Sequence, residues 1–121
     1  MPKHILLIDD EAPIREILVQ TLKTKGYRIS EAASAAEAES LVQRDPPDLV
    51  ISDLQLEESD GLTMLAQFKA ARPALPVILL TGVLFDREVV RDTLSKLVTS
   101  YLPKTTPLAK ILEEVHRVLP P

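Results

Sequence analysis

Hydrophobic positions along this chain come in short bounded runs that alternate with stretches at helical spacing. His4-Ile-Leu-Leu-Ile8 is apolar almost throughout and stops at Asp9, Asp10 and Glu11. A bounded run of this kind reads as a strand buried on both faces. Pro13 then falls where the first turn of a helix tolerates it. Ile14, Ile17, Leu18 and Leu22 keep helical spacing up to Gly26, a natural residue just past a helix end. Tyr27 to Ala32 is a second, less apolar strand suited to a sheet edge. Ser34-Ala-Ala-Glu37 has capping-box spacing and opens an Ala-rich helix that ends before Pro46-Pro47.

Leu49 to Ser52 is a third strand and ends at an acid, Asp53. Gly61 precedes a helix carrying Leu62, Leu65, Phe68 and Lys69, which stops by Pro73. Pro76 to Thr81 is a fourth strand, followed by Gly82. A helix over about Asp86 to Lys96 comes next, then a strand over about Thr99 to Leu102. Pro107 opens a last helix with Leu108, Ile111, Leu112, Val115 and Val118 on its apolar face. Strand and helix alternate five times, with connections too long for hairpins, which predicts a parallel sheet covered by helices on both faces. All 10 prolines and all 3 glycines fit element boundaries or chain ends, which supports these elements.

Composition narrows the field. A chain of 121 residues that is 45% hydrophobic suits a single domain over 1–121 with a sizeable core. Its 14 Lys plus Arg against 18 Asp plus Glu leave a net charge of −4, which argues against a free-standing nucleic-acid binder. The absence of Cys excludes disulfides, thiol catalysis and Cys-ligated zinc. No apolar run nears the roughly 20 residues of a membrane helix. The N-terminus shows no signal-peptide pattern, and the expected setting is cytoplasmic.

Ligands of open parallel sheets bind beyond the carboxyl ends of the strands. The predicted strands deliver Asp9 and Asp10, then Asp53, then Thr81, then Lys104 to that rim. Each alone is unremarkable: an Asp after a strand is most often a cap or turn residue, a lone Thr a turn hydroxyl, a lone Lys a solvated charge. Their shared placement is the signal. Clustered carboxylates without His or Cys suit a hard divalent ion such as Mg²⁺. A lysine and a threonine beside them offer a phosphoryl group a point charge and a donor, and a carboxylate can itself attack phosphorus. Glu57 and Glu58 read as a solvated acidic loop near the rim.

The segments Ile8-Asp9-Asp10-Glu11, Asp48-Leu-Val-Ile-Ser-Asp53-Leu54, Asp60-Gly61, Leu80-Thr81-Gly82 and Tyr101-Leu-Pro-Lys104 resemble the receiver domain of two-component response regulators, over essentially the whole chain. The resemblance implies a flavodoxin-like, doubly wound five-stranded parallel sheet of order 2-1-3-4-5, with five helices on its two faces. It implies that Asp53 is the phosphoacceptor, attacking a phosphohistidine on a sensor histidine kinase or histidine phosphotransfer protein. Asp10 would bind Mg²⁺ directly and Asp9 through water, with Asp53 and the backbone carbonyl of Gln55 as the other protein ligands. Lys104 would pair with the phosphoryl group and Thr81 would donate to it. Tyr101 would then turn inward, changing the surface of the fourth helix, fifth strand and fifth helix for an output partner the sequence does not name. The same face allows a homodimer by family analogy. Such a protein is no conventional enzyme, since it catalyses only its own phosphorylation and dephosphorylation.

Three positions depart from the family pattern. Thr105 follows Lys104 where proline is usual, with Pro103 in front. Glu57 stands where a proline is usual, and Leu97-Val-Thr-Ser100 replaces a Gly-Ala turn. Val83 and Gln55 place no acid or base for hydrolysis, which predicts slow to moderate loss of the phosphoryl group. Two other readings compete. One is a degenerate receiver acting as a constitutive interaction module, motivated by Lys104-Thr105. The other is a flavin carrier, which lacks the hydroxyl- and glycine-rich loop it needs after the first strand.

Overall fold

The computed structural model describes residues 2–53, 55–56, 59–81 and 98–120. In chain order these form β1 (His4–Ile8), α1 (Ala12–Thr24), β2 (Arg28–Ala32), α2 (Ala35–Arg44), β3 (Leu49–Ser52), β4 (Gln55–Leu56) and β5 (Ser59–Asp60). They continue as α3 (Gly61–Ala71), β6 (Val77–Thr81), β7 (Ser100–Pro103) and α4 (Leu108–Val118). The helix expected over 86–96 lies outside the described residues. The main sheet has the order β2-β1-β3-β6-β7 with every neighbouring pair parallel. This is the predicted 2-1-3-4-5 once β4 and β5, a separate antiparallel pair, are set aside. β2 is an edge strand, as its weaker apolar pattern suggests.

Strand residues alternate between two packed layers, as a period of two requires. Leu6, Ile8, Val50, Val77 and Leu79 pack with Ala38 and Val42 of α2 and Met64, Leu65 and Phe68 of α3. Ile5, Leu7, Leu49, Ile51, Ile78 and Leu80 pack on the other side with Leu18, Val19 and Leu22 of α1 and Ile111 and Val115 of α4. The described helices therefore cover both faces.

Local chemistry explains where the elements stop. Pro13 occupies the first turn of α1. At its far end Gly26 takes φ +92°, its N–H donates to the Lys23 carbonyl, and the Tyr27 N–H reaches back to the Leu22 carbonyl. That pair of bonds is a Schellman ending, with Tyr27 and Leu22 in the same core layer. A side chain at Gly26 would meet nothing within 4 Å, so Gly26→Ala carries only the backbone cost of a positive φ. We expect it to lower stability by about 1 kcal/mol, read from the urea midpoint; an unchanged midpoint would refute the left-handed ending. Ser34 Oγ accepts the Glu37 N–H at 3.2 Å, the predicted cap of α2. The last strand is displaced by one residue from the expected Thr99–Leu102. Pro103 joins it because the carboxyl end of an edge strand needs no N–H there. Thr99 still binds β6, donating its N–H to the Val77 carbonyl at 2.7 Å.

Candidate functional site

All strands of a parallel sheet end on the same side, so residues placed just beyond them share a rim. Asp9 follows β1, and its N–H donates to the Ala32 carbonyl at 3.0 Å; Asp53 follows β3, and its N–H donates to the Ile8 carbonyl at 3.0 Å. Both acids are thereby fixed to the ladder and buried, at 2% and 4% exposure. Lys104 lies in a turn closed by the Thr106 N–H on the Pro103 carbonyl. The Lys104–Thr105 bond is trans, like every other described peptide bond.

Despite the departure at Thr105, Lys104 points into the site. Its Nζ lies 2.7 Å from Asp53 Oδ2, 3.2 Å from Asp9 Oδ2 and 2.8 Å from Glu11 Oε1. An ammonium has three donors, and three carboxylates surround it. Carboxylate oxygens of Asp9, Asp10, Glu11 and Asp53 fall within 4.8 Å of one another. Four acids and one ammonium leave the cluster strongly negative, and its donors are all oxygen. That donor set fits a hard divalent cation of the Mg²⁺ kind.

Burial raises the Asp9 carboxyl above its ordinary range, against the Glu11 N–H and Lys104, which favour the charged form. Its contribution to stability therefore falls as pH rises through the carboxylate range, because the folded state holds that proton more tightly. Burial disfavours the Lys104 ammonium. Hydrogen bonds to Asp53 and Glu11, with the fields of Asp9 and Asp53, outweigh that and push its pKa well above the lysine norm. Burial also raises the Tyr27 hydroxyl, which donates to the Leu119 carbonyl at 2.6 Å. For both groups the stabilisation is complete below the unfolded values near pH ~10 and lost as pH rises through the folded ones. The metal-free protein is expected to lose urea resistance above about pH 10, and Lys104→Met to flatten that decline. An equal decline in that variant would remove Lys104 as its source.

Of the residues the sequence nominates, Asp9, Asp10, Asp53 and Lys104 come together. Thr81 ends β6 in register with Pro103, so its main chain reaches the same rim. Gln55 pairs with Asp60 in the β4–β5 hairpin, two residues past Asp53. Tyr101 lies on edge strand β7, 37% exposed. Glu57, Glu58, Gly82 and Val83 lie outside the described residues. Glu11 is the member that strand-end reasoning does not assign a role. Its one signal is adjacency to the acid pair.

A family model described as the response regulator receiver domain matches residues 5–116. Response regulator MprA of Mycolicibacterium vanbaalenii is 32% identical over 98% of this chain and 51% of its own length. Transcriptional regulatory protein GlrR of Escherichia coli K12 is 40% identical over 67% of this chain and 18% of its own length. The chain thus spans about half, or less, of the curated relatives it matches. Among solved structures, a CheY-like receiver domain protein from Methanospirillum hungatei superposes with a TM-score of 0.89 at 26% identity, covering 97% of this chain and 93% of that one. Chemotaxis response regulator CheY4 of Vibrio cholerae gives 0.88 at 25% identity, over 98% of this chain and 100% of its own.

Proposed function

Since the chain belongs to the response regulator receiver domain family, we propose that Asp53 accepts a phosphoryl group from a phosphohistidine on a sensor histidine kinase or histidine phosphotransfer protein. The observation that carries this reading is the buried Asp53 carboxylate with the Lys104 ammonium 2.7 Å from one of its oxygens. Asp53 attacks phosphorus, a P–O bond forms, and the P–N bond to the imidazole breaks. The bonding pair returns to the ring nitrogen, which remains on the donor. Lys104 balances charge on the transferring group. Asp10 and Asp53, with Asp9 through water and the Gln55 carbonyl, would hold Mg²⁺, which when bound neutralises charge on the phosphoryl oxygens.

Once Asp53 is modified, Thr81 donates to the phosphoryl group and Tyr101 turns inward from its exposed position. The surface of the last strand and last helix then alters for an output partner. Relatives named as transcriptional regulators favour transcription as that output. The degenerate-receiver reading draws on Thr105 after Lys104, and it loses that motive because Lys104 Nζ still reaches Asp53 at 2.7 Å. The test is intact mass after incubation with Mg²⁺ and acetyl phosphate or phosphoramidate. A phosphate-sized gain that disappears in Asp53→Ala is expected; no gain, or one that persists in that variant, overturns the proposal.

A further inference from the structure

Arg15 lies on α1, just beyond the acid pair, and no step proposed above uses it. Its side chain is largely covered and joins two separate elements. Nη1 donates to the backbone carbonyl of Asp9 at 2.6 Å, and Nε donates to Glu31 Oε1, on β2, at 3.2 Å. A rigid guanidinium fork can make both bonds at once, whereas a lysine can make only one of them well.

The Asp9 carbonyl belongs to the peptide plane that links Asp9 to Asp10, so fixing its direction fixes how the chain enters Asp10. Asp9 has other restraints: its N–H on Ala32, and its carboxylate on the Glu11 N–H at 2.8 Å and on Lys104. Asp10 does not. Among the described residues its carboxylate accepts no hydrogen bond, so the restraint that remains is the backbone plane, which sets where its Cα–Cβ bond leaves the chain. Arg15 is the side chain that holds that plane, and Glu31 is the side chain that holds Arg15.

We propose that Arg15 is a positioning residue for Asp10: by clamping the Asp9 carbonyl, with Glu31 as its anchor, it sets the site's affinity for a divalent cation. The proposal rests on the Mg²⁺ reading above. It also runs against simple charge arithmetic. Removing a cation near an acidic cluster should tighten binding of another cation, whereas loss of a clamp should weaken it.

The experiment is a Mg²⁺ titration of the folded protein followed by amide NMR shifts. Arg15→Met is expected to raise the Kd about tenfold, with Arg15→Lys in between. Glu31→Gln should add less than about twofold once Arg15 is gone, since the two act as one unit. An unchanged or lower Kd in Arg15→Met overturns the proposal. A second readout needs no metal: hydrogen exchange at the Asp10 and Glu11 amides should quicken by about tenfold in Arg15→Met, while β3 and β6 amides stay as they were. A uniform rise would mark a folding defect and also overturn it. If the native protein takes no Mg²⁺ at all, the metal reading fails by itself, and the exchange result alone decides whether Arg15 clamps the loop.

Discussion

Lys104→Met is expected to slow phosphoryl acceptance at Asp53 by about 10²–10³-fold, the usual loss when a single group aimed at developing charge is deleted. Methionine retains much of the apolar stem, so the change is mainly electrostatic. It removes an ammonium 2.7 Å from an Asp53 carboxylate oxygen, in a cluster whose other members are all acidic. The measurement is the growth of the phosphorylated mass at fixed Mg²⁺ and acetyl phosphate. A reduction below threefold would mean that the ammonium does not act on the transferring group. The same substitution leaves Asp9 and Asp53 buried without their cation. Breaking a buried pair costs roughly 3–5 kcal/mol at most sites, and here the open side of the cluster, where Glu11 is 56% exposed, tempers it. The loss is expected to appear in metal-free buffer and to shrink on adding Mg²⁺.

Ile51→Ala is expected to cost about 3–4 kcal/mol, a large share of the 5–15 kcal/mol typical of a domain. Ile51 is 1% exposed and sits on the central strand, in register with Leu7 on one side and Ile78 on the other. Neighbouring strands hold that spacing, so the space left by the side chain has little means of closing. Ile17→Ala, at a position 56% exposed on α1, removes more surface from water contact than from the core and should stay within about 0.5 kcal/mol. Urea denaturation of both variants gives the comparison. A cost below 1 kcal/mol at Ile51, or equal costs at both sites, would contradict the packing described.

What could be read in the sequence has local causes. Apolar runs bounded by acids place β1 and β3, Gly26 and Ser34 mark helix ends through bonds within a few residues, and alternation of strand and helix dictates parallel pairing. The rim acids and Lys104 follow from that pairing, because parallel strands end together. The remainder depends on partners that sequence spacing does not bring near. Glu11 meets Lys104 across 93 residues. Arg15 meets a backbone carbonyl, which every residue carries, so no residue type marks the contact. The hairpin arms β4 and β5 are two residues each, too short for any periodicity to show.

The two-sided burial of β1 has a consequence for its alignment with its neighbours. An amphipathic strand that slips by one residue exposes its apolar side, and the penalty enforces the alignment. β1 lacks that safeguard, since Leu6 and Leu7 would merely exchange one greasy layer for the other. Its polar ends supply the phase instead. His4 is 2% exposed, its N–H donates to Asp48 Oδ2 at 2.8 Å, and its Nε2 lies 2.7 Å from Ser30 Oγ. At the opposite end Asp9 meets Lys104 and the Glu11 N–H. A slip in one direction would leave a carboxylate between hydrocarbon layers; a slip in the other would leave an imidazole there. The residues that make the rim reactive thus also index the strand, holding a sheet with interchangeable faces to one alignment.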